Sequence, residues 1–399
     1  MSSTPSSEAG SHLPEPSAPL AEYRARLHAW LDAQHEALAP RYEPPGTLDD
    51  HVAQMQRVKS LLHEGGWMQY GWPERVGGRG GSPMLRTELG AALAARDLAD
   101  PGLFSLVEVL APSLIDFASP ELAAQAVPRL LSGEELWCQG FSEPDSGSDL
   151  ASLRCRATPR GGDPATAREW VIRGQKVWTS LAQYSQRCVL LTRTGSAESR
   201  HRGITAFFVD MDTPGVTVRP IEMINGEQEF AEVFFDDAVV PADRMLGSPG
   251  GGWAVAMSIL PYERSSCFWQ RIAFLYGRLQ RLVEVAPDDE RAAETVGQAY
   301  LELFALRARS RATQHRLAAT GTIGAETSID KVLVATTEQT VFDAVRRLLP
   351  GTVELDDGAA GERWRNEYLY SRAATIYGGT GEVQRNIIAR RLLGLGDEA

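Results

Sequence analysis

The chain changes its hydrophobic periodicity twice, and this double change most restricts how it can fold. Residues 21–136 carry apolar residues at three- and four-residue spacing, which predicts helices. Residues 137–247 carry short apolar runs, such as EWVIRGQKVWTS, between Gly, Asp or Pro, which predicts strands. Residues 248–399 return to helical spacing. The order predicts a mostly α protein with a helical N-terminal domain, a central β domain and a helical C-terminal domain.

Composition and the chain start limit the classes of partner. Residues 1–20 are rich in Ser, Pro and Glu and lack a continuous apolar core, so we predict a disordered tail and not a secretion signal. No window approaches 18 apolar residues, which predicts no membrane span. A net charge of -12 without a dense basic block predicts no nucleic-acid partner. The 4 cysteines form no CxxC pair, which predicts neither a disulfide framework nor a metal site and favours a reducing cytoplasm.

Three short motifs have a chemical interpretation. The run GFSEPDSGSDL from Gly140 is a Gly/Ser-rich turn, whose backbone N–H groups and small hydroxyls can approach a flavin ring or a phosphate closely. The second motif begins at Lys176 and reads KVWTS, and the third begins at Tyr377 and reads YGGTGEVQR. Taken singly, each has a structural alternative: Ser142 and Ser148 can cap turns, Trp178 can pack in a core, and the glycines after Tyr377 can serve the approach to a helix.

Together and in this order, the motifs resemble those of the FAD-dependent acyl-CoA dehydrogenase family, and the resemblance extends from about residue 21 onward. It implies an N-terminal helical domain, a middle β-barrel-like domain and a C-terminal four-helix bundle, with FAD between the last two. Ser148 is implied to lie along the flavin or the pantetheine of the substrate. The residues that the resemblance implies for binding FAD are Phe141, Ser142, Gly147, Ser148, Trp178, Ser180, Thr380 and Glu382.

The catalytic base is the main departure from the family. Family members often carry Tyr-Glu-Gly-Thr where this chain has Gly378, while others carry the acid in a Glu-Arg pair on the first helix of the C-terminal bundle. Glu263 and Arg264 stand there. Removing a proton α to a thioester needs a carboxylate in a dry pocket, so Glu263 is our candidate base and Glu382 the second candidate.

Both members of the Glu-Arg pair have structural alternatives. Glu263 follows Pro261, so it can be a solvated first-turn residue favoured at a helix N-terminus. Arg264 can form a surface salt bridge, or it can support the base and bind the substrate.

Gly378 keeps its backbone N–H, which in the family polarises the thioester carbonyl. A glycine there also leaves room for a bulky acyl group.

Two further departures concern the cofactor diphosphate. The RxxFG motif of the family is missing, so either Arg291 supplies the positive charge or the diphosphate is held differently. The glycine-rich turn before the last helices is altered to LLPGTVELDDGAAGERW. These departures resemble a bacterial branch that acts on sterol side chains or other large acyl groups, some of whose members combine two unlike subunits.

The resemblance implies α,β-dehydrogenation of an acyl thioester, converting acyl-CoA to trans-2-enoyl-CoA, with a bulky or branched acyl group. An electron-transfer flavoprotein or similar acceptor is the implied redox partner. The implied assembly is a homodimer or homotetramer, or a complex with an unlike subunit. Alternatives are a flavin-dependent oxidase or oxygenase on the same scaffold, a dehydrogenase of carrier-protein-bound acyl groups, and a non-catalytic subunit of a hetero-oligomeric dehydrogenase.

Overall fold

The computed structural model describes residues 13, 15, 18–164, 166–320 and 323–396. Most of the tail predicted for residues 1–20 lies outside the described residues. The first part of the chain is helical, as predicted. Its helices are α1 Leu20–Ala33, α2 His35–Leu38, α3 Leu48–Glu64, α4 Pro83–Ala94, α5 Pro101–Phe117 and α6 Pro120–Leu131.

Side-chain caps fix where the N-terminal helices begin. Ser82, Asp100 and Ser119 each accept a hydrogen bond from a backbone N–H of the following turn, and a proline comes directly after each of them. A capping side chain satisfies a free N–H of the first turn, and proline at the first helical position is already restricted to a helical φ. The starts of α4, α5 and α6 are therefore encoded locally.

The predicted strands of the central domain are confirmed and form one sheet. Its order is β6-β7-β3-β2-β4-β5-β8, and β1 pairs in parallel with β4. Strands β4 and β5 are buried on both faces, since one face packs against the helices and the other against the rest of the β domain. The strands are β1 Trp137–Gly140, β2 Arg156–Pro159, β3 Glu169–Ser180, β4 Arg187–Arg193, β5 Ile204–Asp210, β6 Val216–Ile221, β7 Phe230–Pro241 and β8 Met245–Leu246.

The last part of the chain is helical, which confirms the predicted order of helical, β and helical segments. Helices α8, α9, α10 and α12 share one apolar core, to which they contribute Leu275, Leu303, Phe342 and Trp364. The helices are α7 Gly252–Glu263, α8 Ser266–Val285, α9 Glu290–Thr320, α10 Thr327–Leu348, α11 Thr352–Leu355, α12 Ala359–Arg372 and α13 Gly381–Ile387, followed by a π-helical turn Ile388–Leu392.

The segment interpreted as an altered turn, residues 348–364, contains α11 and the start of α12. Gly361 is required there, because a Cβ atom on it would lie 2.4 Å from the carbonyl oxygen of Asp356. Gly361 therefore allows the close approach of α12 to the preceding loop. None of the helices within the described ranges is long and apolar enough to cross a membrane.

A buried ion pair holds the loop between β1 and β2 against the sheet. Glu143 Oε1 lies 2.6 Å from Lys176 Nζ, and the two side chains are 7% and 0% exposed. Glu143 also accepts hydrogen bonds from the backbone N–H groups of Arg154 and Cys155, at 2.6 and 2.8 Å. Lys176 donates a second hydrogen bond to the carbonyl of Phe141 at 3.1 Å. The motif that begins at Gly140 is thereby fixed to β3.

Replacing Lys176 with Met would leave the Glu143 carboxylate buried without its cation. We expect the free energy of unfolding at pH 7 to fall by about 3–5 kcal/mol, as measured by urea unfolding followed through tryptophan fluorescence. The control is Arg160→Met, which removes the exposed pair between Arg160 and Glu169 and should change the free energy by less than about 1 kcal/mol. Equal losses in the two variants would contradict the role given to the buried pair.

Candidate active site

Glu263 is the last residue of α7, at the C-terminal end of the helix. The alternative of a solvated first-turn residue at a helix N-terminus is therefore wrong. Its side chain lines a cavity of about 670 Å³ between the N-terminal helices, the sheet and the bundle. The carbonyl groups at a helix C-terminus carry partial negative charge, which opposes ionisation of a nearby carboxyl group.

Burial raises the pKa of the Glu263 carboxyl group, and the nearby charges of Arg264 and Lys331 partly offset this increase. Oxygen Oε2 of Glu263 is buried and has no hydrogen-bond partner among the described residues. A carboxylate with a raised pKa and a free oxygen that lines a cavity has the properties of a general base.

The carboxylate of Glu263 lies where a side chain of residue 378 would begin. A Cβ atom placed on Gly378 would stand 2.7 Å from Glu263 Oε1, so the Glu263 side chain would have to shift to make room for it. Gly378 and Gly379 have φ values of +62° and +88°, a backbone region that favours glycine. Residues 263 and 378 are distant in the sequence but adjacent in the fold, and only Glu263 supplies a carboxylate there.

Two side chains position the Gly378 loop. The carbonyl oxygen of Gly378 accepts hydrogen bonds from Arg264 Nε at 3.3 Å and from Gln384 Nε2 at 3.1 Å. Arg264 is 8% exposed, so the alternative of a surface salt bridge is wrong, and its contact is to the loop beside the base. Nothing among the described residues accepts a hydrogen bond from the Gly378 N–H. That donor is free to bind a ligand.

The second candidate base lies in different surroundings. Glu382 stands in the first turn of α13, and its side chain is exposed. An exposed carboxylate lacks the dry surroundings that favour base chemistry. Thr380 caps the same helix, since its hydroxyl accepts a hydrogen bond from the backbone N–H of Val383 at 3.3 Å.

Lys331 also belongs to this site, although no motif in the sequence points to it. The side chain is 1% exposed, and its ammonium group donates a hydrogen bond to the carbonyl of Ala374 and lies 4.1 Å from the ring centroid of Tyr377. Its Cε is 3.7 Å from the position of a Cβ atom on Gly378. Burial lowers the pKa of Lys331 to about 8, against the opposing effect of Glu263. A cation therefore stands beside the candidate base.

Trp178 has the geometry of an aromatic platform. It is 59% exposed and has a φ of +59°, at a register shift between β3 and β7. The ring contacts Phe230 edge-on with 6.0 Å between the centroids. A left-handed φ is rare for a bulky residue and marks strain or function, and a bulge in a strand re-aims a side chain. The alternative of a core tryptophan is therefore wrong.

Of the other residues implied for FAD binding, two lie near Trp178 or the cavity, and three lie elsewhere in the motif that begins at Gly140. Ser142 lies beside the Trp178 segment, because its carbonyl oxygen accepts a hydrogen bond from the Val177 N–H at 2.9 Å, and Ser180 lines the same cavity as Glu263. In the motif that begins at Gly140, Phe141 is buried, and Gly147 and Ser148 are exposed.

An exposed indole with hydroxyl groups beside it fits the planar ring and polar edge of a flavin. Trp178, Ser142 and Ser180 supply these groups on the sheet side. The Gly378 N–H, which has no partner among the described residues, belongs to the loop beside Glu263. Arg291 lies exposed at the start of α9 and donates a hydrogen bond to the carbonyl of Arg347 at 3.3 Å.

Within the part of the chain that the structure describes, no three His, Cys, Asp or Glu side chains converge to hold a metal ion.

Comparison with known proteins agrees with this geometry. Family models described as the N-terminal, middle and C-terminal domains of acyl-CoA dehydrogenase match residues 21–134, 138–238 and 250–393. The acyl-CoA dehydrogenase IpdE1 of Mycobacterium tuberculosis is 40% identical over 390 residues, which cover 95% of this chain and 98% of that protein.

Solved structures share the fold. The Tcur3481-Tcur3483 steroid ACAD is 24% identical with a TM-score of 0.81, covering 96% of this chain and 100% of that chain. The ChsE4-ChsE5 complex from Mycobacterium tuberculosis is 24% identical with a TM-score of 0.78, covering 95% of this chain and 99% of that chain. With three matching domain models and a relative similar over nearly its whole length, the chain belongs to the acyl-CoA dehydrogenase family of flavin-dependent oxidoreductases.

Proposed function

We propose that this protein catalyses FAD-dependent α,β-dehydrogenation of an acyl thioester, acyl-CoA to trans-2-enoyl-CoA, with Glu263 as the base. The observation that carries the proposal is the position of the Glu263 carboxylate, which fills the space beside Gly378 inside the cavity. Glu382 is exposed and is the weaker candidate.

Glu263 removes the α-proton of the bound thioester. Its free Oε2 accepts the proton, and the raised pKa of the carboxyl group brings its basicity closer to that of the substrate carbon acid. The backbone N–H of Gly378 donates a hydrogen bond to the thioester carbonyl, which stabilises the negative charge that develops on that oxygen as the proton leaves. Arg264 holds the Gly378 loop in place through its contact with the carbonyl of Gly378, and a further contact of Arg264 with the substrate is part of the proposal.

When bound, FAD would supply the acceptor for the β-hydride. We assign Trp178 to the flavin ring, Ser142 and Ser180 to its polar edge, and Thr380 to a contact at the start of α13. Phe141, Gly147, Ser148 and Glu382 complete the proposed set, and Ser148 also lies along the pantetheine. An electron-transfer flavoprotein or a similar acceptor is the proposed redox partner.

The proposed substrate carries a bulky or branched acyl group. The cavity extends from Glu263 to α5 and α12, and Gly378 adds no side chain to it. The proposed assembly is a homodimer or homotetramer, or a complex with an unlike subunit that supplies contacts to the FAD diphosphate. Arg291 is a proposed source of charge for that diphosphate.

The visible spectrum of the purified protein, followed by anaerobic addition of short, branched and bulky acyl-CoAs, tests the reaction class. Bleaching of an oxidised-flavin band supports the proposal. Bound flavin that no acyl-CoA reduces would favour a carrier-bound substrate or an oxidase or oxygenase. Protein without flavin that gains it on co-expression with a partner would favour the non-catalytic subunit.

Glu263→Gln keeps the size of the side chain and removes its basicity. We expect the rate constant of flavin reduction by acyl-CoA to fall by about 10²–10⁴-fold, with flavin content unchanged. Anaerobic stopped-flow absorbance measures this rate. The same measurement on Glu382→Gln compares the two candidates, and a larger loss in that variant would transfer the role of base to Glu382.

The charge of Lys331 should set the pH dependence of the reaction. A cation near a carboxylate stabilises the ionised form, so Lys331→Met should raise the pKa of Glu263 further. The base is active when ionised, so the rate of flavin reduction rises with pH, and this rise should move about 1 pH unit upward in the variant. Because the pKa of Lys331 is about 8, the difference should appear mainly below that pH. A downward shift in the profile of stopped-flow rates would contradict this role.

A further inference from the structure

The cavity that Glu263 lines continues along α8 to an end far from the base. Cys267, Arg271, Phe274 and Arg278 line it at intervals of four, three and four residues, so they share one face of the helix. At a rise of 1.5 Å per residue, Cys267 and Arg278 are roughly 16 Å apart along the helix axis. The cavity is therefore long enough to receive an extended acyl chain.

We call the end farthest from Glu263 the distal end, formed by Asp97, Arg278, Arg281, Arg363 and Glu367. Arg278 Nη1 lies 2.9 Å from Asp97 Oδ1, and Arg278 Nε lies 2.6 Å from Glu367 Oε1. Arg281 also pairs with Asp97. Asp97 is thus engaged by two arginines and Glu367 by one.

Arg363 is the third guanidinium of the distal end. It comes from α12, lines the cavity and is half-buried. Among the described residues it forms no hydrogen bond and no ion pair, although the charges of Glu367 and Asp97 act on it. Burial lowers its pKa, and so does repulsion from Arg278 and Arg281. Three guanidinium groups therefore face two carboxylates, and the excess positive charge lies on the arginine without a partner.

The other charged residues of the cavity, including Asp100 and Glu227, are not among the charges that act on Arg363. Arg271 forms two hydrogen bonds with Glu338, at 3.0 and 2.6 Å, so it is already neutralised. Asp100 caps α5 by accepting hydrogen bonds from the following backbone N–H groups. Glu227 accepts a hydrogen bond from Asn225 at 3.2 Å. The charged groups that act on Arg363 are those of the distal end alone.

A carboxylate of the β domain also lines the cavity. Glu229 precedes β7, and burial together with the charges of Asp100 and Glu227 raises its pKa to about 8. It is therefore mostly neutral at pH 7. The distal end keeps its net positive charge.

We propose that Arg363 binds a carboxylate at the far end of the acyl chain, so that the substrate is an ω-carboxyacyl thioester. The inference rests on the proposed dehydrogenation and names the substrate class of that same cavity. A planar guanidinium binds a carboxylate through two parallel hydrogen bonds. Such an anion relieves the repulsion between Arg363 and its two neighbours. The phosphates of the CoA moiety are the other source of an anion, and the test separates the two.

Unreactive thioether analogues of acyl-CoA provide a binding readout that does not depend on turnover. Two series of increasing chain length are needed, one ending in a methyl group and one in a carboxylate, with dissociation constants measured by calorimetry on the purified holoenzyme. In the unmodified protein we expect the carboxylate series to bind more tightly than the methyl series once the chain reaches the distal end. Arg363→Met should remove this preference, weakening the carboxylate analogue by about 10–100-fold and leaving the methyl analogue unchanged.

The control variant is Arg347→Met, since Arg347 is exposed at the end of α10 and does not line the cavity. It should keep the preference of the unmodified protein. No preference for the carboxylate series in the unmodified protein would overturn the inference. Equal weakening of both series by Arg363→Met would assign Arg363 to the CoA phosphates and would also overturn it. Failure of every analogue to bind the unmodified protein would count against the proposed function itself.

Discussion

The site depends on the steric complementarity between one carboxylate and one residue without a side chain. Glu263 occupies the space that a Cβ atom of residue 378 would need, at 2.7 Å from Oε1. The left-handed φ of Gly378 adds a second reason for glycine. An acid at the end of α7 and a glycine in the loop before α13 therefore fit together, since a side chain at residue 378 would displace the Glu263 carboxylate and would strain the backbone.

Opposing electrostatic effects keep the Glu263 carboxylate usable. Burial and the C-terminal end of α7 favour its neutral form, whereas Arg264 and Lys331 favour the ionised form. Arg264 also bonds to the carbonyl of Gly378, so the same guanidinium influences the base and fixes the loop. Arg264 therefore influences both the pKa of Glu263 and the position of the Gly378 loop.

The sequence predicted the order of helical and β segments and the strands of the sheet, because these follow from local periodicity and turn residues. It also favoured Glu263 over Glu382, through the absence of an acid at position 378. The position of Glu263 at the end of α7 was not predicted, because Pro261 suggests a helix start whereas it lies inside the helix. Lys331 and Arg363 were missed, since a charged residue in a helical pattern usually faces solvent. Only tertiary packing brings Lys331 beside Gly378 and Arg363 to the cavity.

We infer that catalysis requires a carboxylate at this location, whichever chain segment carries it. The most direct test moves the acid, by comparing Glu263→Gly with the double variant Glu263→Gly, Gly378→Glu in anaerobic flavin reduction by acyl-CoA. We predict that the single variant is inactive and that the double variant regains activity. Recovery should be incomplete, because a non-glycine residue at a left-handed φ costs about 1–2 kcal/mol. A single variant that reduces its flavin at the unmodified rate, or a folded, flavin-bound double variant that regains nothing, would contradict the account.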